Sequence, residues 1–164
     1  MVASAPSVWD NGPVNLLDAR RVFSDLQVIQ VATTRVDGSP HVVPLWFVWR
    51  DEAVYVSCRR GSTTWRAVER DPRVALSFSV GQAWDELAGA VAYGRADPLA
   101  ADHPALRGVM SSWFEKYRGL LAGEAFRRYA RDVETPGMLR VRPHRLITWD
   151  HARAPSRDQQ ASQA

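Results

Sequence analysis

The 164-residue chain reads as an α+β fold, mainly β: an antiparallel β-barrel, closed or half closed, with flanking helices. Three observations lead there. Runs rich in β-branched and aromatic residues recur along the chain, most of them separated by little more than a turn. Only one short helical stretch is slipped between the third and fourth runs, which argues against a parallel sheet. And Pro44 sits in the middle of a run, where it removes a ladder donor and so marks an edge, a bulge or a split.

The elements follow in order. Residues 1–12 are small and polar, punctuated by Pro6 and Gly12, and are expected to form a flexible arm. One domain is expected over 13–151. Asn15 can cap a short helix with Asp18 in its first turn near the positive dipole end, and Leu16, Val22, Phe23 and Leu26 give that helix an apolar face. VIQVATTR (28–35) and HVVPLWFVW (41–49) are strands joined by VDGS, where Asp37-Gly38 is a hairpin signal because glycine accepts positive φ. Arg50-Asp51-Glu52 turns the chain into AVYVSC (53–58). A helix at about 63–70 stops before Pro72, and RVALSFSV (73–80) is the fourth strand. Gly81 to Glu86 reads as a loop, and LAGAVAYGRA (87–96) as the fifth strand. Between 98 and 134 the period turns helical through Leu106, Val109, Met110, Trp113, Phe114, Tyr117, Phe126 and Tyr129, until Thr135-Pro136-Gly137 breaks it. MLRVRPHRLITWD (138–150) is a last strand, interrupted at Pro143. Residues 152–164 are small and polar, a tail expected to be disordered.

Composition excludes several function classes. No run of about 18 apolar residues exists, so no transmembrane helix and no membrane partner are expected. The first residues carry neither a charged nor an apolar signal region, and the single cysteine, Cys58, suits a reducing, cytoplasmic setting. Net charge is only +3, and the arginines are scattered among 18 acids without a basic block, so nucleic acid is not an expected partner. His41, His103, His144 and His151 lack metal-ligand spacing, and no metal is expected. Ser111-Ser112 has no nucleophile-elbow context. Asp85-Glu86 reads as a solvated loop rather than a catalytic pair, and Trp84 beside it as either a ring cover or a packing residue.

The stretch that carries chemistry is SCRRGSTTWRAVERDPRV (57–74). One of Ser62, Thr63 and Thr64 must cap the following helix. The first turn of a helix offers unpaired N–H groups and a favourable dipole for an anion. Arg59, Arg60 and Arg66 flank it, and arginine binds phosphate through paired, permanently charged donors. Two readings stand side by side: a phosphate cradle, or an ordinary capped surface helix with solvated arginines.

The order of these pieces resembles the pyridoxamine 5′-phosphate oxidase-like family, the flavin and deazaflavin oxidoreductase superfamily built on an FMN-binding split barrel. The resemblance rests on the hairpin, the "PLWF" strand, the Ser/Thr-x-x-x-Arg helix and the "RDPRVALSF" strand over about 23–97. It returns at "VRPHRLITWD". It implies that the strand His41 to Phe47, with Pro44, Leu45 and Trp46, runs beside the cofactor ring, and that His41 stands where an arginine often meets the cofactor phosphate. Ser57 and Cys58 match a Thr-Asn pair that reaches the phosphate or ribityl chain, and Ser62, Thr63, Thr64 and Arg66 match the phosphate-binding turn. Trp149 matches a tryptophan reaching the cofactor from the second subunit of a homodimer. Departures are visible as well. Thr64 replaces a lysine that many members direct to the phosphate, and Ala67 replaces an asparagine. His151 and Arg153 do not reproduce the substrate-binding pattern of a true pyridoxamine phosphate oxidase. The resemblance thus implies a cytoplasmic, homodimeric oxidoreductase. It would transfer hydride between reduced coenzyme F420 or FMN and a small unsaturated organic substrate such as an enone. The alternatives are a flavin- or haem-binding barrel without turnover, or an FMN-dependent oxidase. No side chain is assigned as catalytic acid or base, because the cofactor supplies the reactive atoms.

Overall fold

The computed structural model describes residues 15–121, 123, 124, 127 and 137–151. The expected arm and tail, and the helical positions Phe126 and Tyr129, lie outside the described residues.

The first element of the described residues is α1 (Leu16–Phe23), whose Asn15 cap accepts from the amides of Leu17 and Asp18 while Asp18 reaches back to the cap. Five strands and a helix follow: β1 (Val28–Thr34), β2 (Pro40–Arg50), β3 (Ala53–Ser57), α2 (Thr63–Arg70), β4 (Arg73–Val80) and β5 (Ala88–Pro98). Helix α3 (Leu106–Leu121) and strand β6 (Met138–Asp150) complete the fold. The loop from Gly81 to Glu86 contains a single 3-10 turn, Trp84–Glu86. The predicted β1–β2 turn is present: Gly38 has φ 82°, and the amide of Arg35 donates to the carbonyl of Ser39.

The six strands among the described residues pair antiparallel and close into a barrel in the order β1-β2-β3-β6-β5-β4. This is the expected α+β split barrel. Its interior is filled by Ile29, Val31, Phe47, Val54, Val56, Leu76, Phe78 and Leu139, with Phe23 of α1 stacked on Phe78 at one side. Trp113 and Tyr117 of α3 pack outside, against Trp46, Val48 and Tyr55.

The split follows from strand lengths. β3 has five residues, between β2 with 11 and β6 with 13. Pairing of β2 with β3 begins only at Phe47, so within the sheet residues 40–46 pair with β1 alone. Pro44 lies within that half-paired stretch, opposite Gln30, so it sits on an open edge where a missing donor costs nothing in the β3 ladder. Pro143 corrects an expectation. It does not interrupt β6, because one extra residue, His144, is absorbed by a bulge opposite Tyr93 and Gly94 and the ladder resumes on both sides.

Candidate functional site

Where β3 stops and β2 runs on, the chain turns through residues 58–62 into α2. The gap between this turn and the open edge of β2 is a cavity of about 490 Å³. Its walls are His41, Val43, Pro44 and Leu45 from β2, Ser57, Cys58 and Arg59 from the end of β3, and Ser62, Thr63 and Thr64 from the start of α2. Nine of these ten positions were singled out by sequence; Val43 is the addition. Four are hydroxyl residues, one is an arginine, and none is a carboxylate.

The capping residue of α2 is Ser62, whose Oγ accepts from the amide of Trp65 at 3.2 Å. That leaves the amides of Thr63 and Thr64, which no intrahelical carbonyl can reach, at the positive end of the helix. Cys58 is 3% exposed and its Sγ lies 3.3 Å from Ser62 Oγ. Burial pushes its thiol up from the ordinary value, so it stays protonated and behaves as a packing residue. The backbone of Cys58 donates to the carbonyl of Gly137 at 2.9 Å, which ties the turn to the start of β6.

Thr64 is 4% exposed and lies 3.3 Å from His41 Nε2. The other ring nitrogen of His41 lies 3.3 Å from a guanidinium nitrogen of Arg35. His41 is therefore a link between the β1–β2 hairpin and α2, a role its position in sequence did not reveal.

The remaining expected residues fall elsewhere. Arg60 turns away from the cavity: its guanidinium donates to the carbonyl of Leu99 at 3.0 Å and lies over the Trp65 ring. Arg66 is exposed on α2 and is not part of the cavity wall. Trp46 stacks on Tyr117 with ring centroids 4.6 Å apart, and Phe47 is sealed in the core against Phe78 and Trp49. Both side chains are thus engaged by the protein itself, and the strand faces the cavity through His41, Val43, Pro44 and Leu45. Trp149 lies on the far part of β6, paired with Gly89, and is not brought to the cavity within one chain. Arg35 and Gly137 were missed, since neither stands in the motif that binds the eye to residues 57–66. Among the described residues, no group of three His, Cys, Asp or Glu side chains is arranged to hold a metal ion, and no helix is long and apolar enough to cross a membrane.

Comparison with known proteins supports the fold reading. The family model described as pyridoxamine 5′-phosphate oxidase matches residues 18–150. A search of curated proteins finds no match. Among solved structures, a conserved hypothetical protein of Mycobacterium tuberculosis superimposes with a TM-score of 0.69 over 85% of this chain and 86% of its own, at 24% identity. An FAD-binding protein of Mesorhizobium loti gives 0.61 over 82% and 92%, at 19% identity. The heme storage protein HutZ of Vibrio cholerae gives 0.65 over 82% and 94%, at 17% identity. Identities this low establish a shared fold and nothing finer.

Proposed function

Because the chain belongs to the pyridoxamine 5′-phosphate oxidase family, we propose that it is an oxidoreductase that seats the phosphate of FMN or coenzyme F420 in the cavity at the start of α2. The observation that carries this reading is the cavity wall: four hydroxyl residues, Arg59 and the first turn of a helix, with no carboxylate among them. That donor set suits a phosphate and nothing cationic. A flavin or deazaflavin, when bound, supplies hydride transfer at its ring.

The protein's own part is binding and orientation. Ser57, Ser62, Thr63 and Thr64 offer hydroxyls and Arg59 offers the charge. Pro44, flanked by Val43 and Leu45, presents an apolar strand edge without an N–H, against which a flat ring can lie. The favoured substrate is a small unsaturated compound such as an enone, since hydride addition at its β-carbon leaves a stabilised enolate. We extend the reading to a cytoplasmic homodimer, in which Trp149 of one copy reaches the cofactor of the other.

Fluorescence titration of the purified protein with FMN and with coenzyme F420 tests the first step, and failure of both to bind at micromolar concentration sinks the reading. Anaerobic mixing of the reduced complex with a panel of enones tests the second. Rapid reoxidation marks a reductase; tight binding with no reoxidation by any acceptor marks a carrier.

A further inference from the structure

We infer that Arg35, which does not line the cavity, fixes the proton position on His41 and thereby turns the Thr64 hydroxyl into a dedicated donor for the anion seat. The steps follow from donor and acceptor capacity. A guanidinium carries only N–H donors and no accepting lone pair. With Arg35 Nη2 at 3.3 Å from His41 Nδ1, that ring nitrogen must present its lone pair. The ring proton is then on Nε2, 3.3 Å from Thr64 Oγ1, and the hydroxyl oxygen accepts it. A threonine hydroxyl has one proton of its own, and this one cannot return to a nitrogen that is already donating. Thr64 is 4% exposed and forms part of the cavity wall, so the cavity is where that proton is directed.

The arrangement changes the meaning of His41. It is a spacer between a guanidinium outside the cavity and a hydroxyl inside it, with one ring nitrogen turned to each. Arg35 acts as a positioning residue: its orienting effect reaches the seat through one imidazole ring. Glutamine at position 41 has the same polarity, an accepting oxygen and a donating amide, whereas leucine has neither.

The last step rests on the phosphate reading of the cavity; the first steps do not. The test therefore has two arms on the full chain. In the first, nitrogen-15 spectra of labelled histidine are recorded above the histidine titration range, with His41 assigned by its loss in His41→Gln. A bare Nδ1 and a protonated Nε2 are expected, and Arg35→Ala should relax this into a mixture of tautomers. A protonated Nδ1 in the wild type, or a tautomer unmoved by Arg35→Ala, overturns the inference. In the second arm, affinities for FMN and for riboflavin, which lacks the phosphate, are compared. Arg35→Ala and His41→Leu should weaken FMN on the order of tenfold, one decade per ~1.4 kcal/mol, and leave riboflavin unchanged. His41→Gln should stay near wild type. Equal loss for both ligands, or for neither, refutes the link to the seat. If FMN fails to bind the wild type at all, the cofactor reading falls by itself. Inorganic phosphate, followed by its effect on the backbone amide signals of Thr63 and Thr64, then replaces FMN in the second arm, with Arg35→Ala and His41→Leu expected to weaken it and His41→Gln to stay near wild type.

Discussion

Gly137 has no room for a side chain. A Cβ there would stand 2.5 Å from the carbonyl oxygen of Cys58, 2.6 Å from the Trp65 ring and 3.0 Å from Arg60. Gly137→Ala should therefore push the 58–62 turn away from β6, destabilise the protein by about 1–3 kcal/mol as overpacking does, and weaken cofactor binding with it. Urea denaturation and a cofactor titration on the same variant check both effects. The neighbouring arginines separate binding from stability. Arg59 lines the cavity, and a charge-assisted hydrogen bond contributes about 1.5–3 kcal/mol. Arg59→Ala should then lower FMN affinity by roughly ten- to a hundredfold at little cost in stability. Arg60→Ala should do the reverse, since Arg60 holds the Leu99 carbonyl and covers Trp65. Equal affinity losses in the two variants would contradict this division. The composition of the cavity wall was legible in sequence because capping hydroxyls and arginines cluster locally. Which arginine borders the cavity was not, because that depends on Leu99 and Trp65, which become neighbours of Arg60 only in the folded chain.

Helix α3 shows how an element is held rather than merely packed. The Tyr117 hydroxyl accepts from the Phe47 amide at 2.9 Å and shares its proton between the carbonyls of Gln27 and Phe47. Gln27 lies just before β1 and Phe47 where β2 takes up its pairing with β3, so the tyrosine supplies partners at the end of both ladders. Tyr117→Phe should cost about 1–3 kcal/mol, the penalty for leaving buried polar groups unpaired. Burial raises the phenol to about 12, so its contribution is complete below pH 10 and is lost as pH rises through about 12. Lys116 beside it behaves oppositely. Its ammonium donates to the Phe47 carbonyl and lies over the Phe47 ring, and burial lowers it to about 8. Between pH 8 and 10 the unfolded chain holds more of that proton than the folded one, so this residue favours folding increasingly as pH rises. Lys116→Met should accordingly be more stable than wild type at pH 7, and the difference in Tm should shrink as pH approaches 10. A difference that stays constant over that range would show that the amine pays no burial penalty. The apolar period of α3 was readable from Leu106 to Tyr117. Its polar anchoring was not, because Tyr117 reads as one more apolar position and Lys116 beside it as a solvated charge. Pro143 misled for a related reason: a bulge is a property of two strands, and one strand alone does not show it.

At the scale of the whole molecule, the barrel is closed but incompletely laddered. Residues 40–46 of β2 pair only with β1, and residues 142–150 of β6 pair only with β5. Both half-paired stretches carry exposed apolar side chains: Val42 on the first, Ile147 and Trp149 on the second. Unpaired strand edges with apolar decoration are templates for association unless something covers them. A second copy related by a twofold axis is the commonest cover, and it would bring a second chain to the edge that forms the cavity. The prediction is a dimer at micromolar concentration by sedimentation equilibrium. Val42→Lys combined with Ile147→Lys should shift it to monomer while the fold persists by circular dichroism, because both side chains are exposed and lie outside the core. Cofactor affinity should fall in that monomer even though no cavity residue has changed. Trp149→Ala, by contrast, should lower affinity with the dimer intact if this residue completes the neighbouring site. A wild-type monomer at these concentrations would defeat the proposal. A monomeric double variant with undiminished affinity would confine the site to one chain.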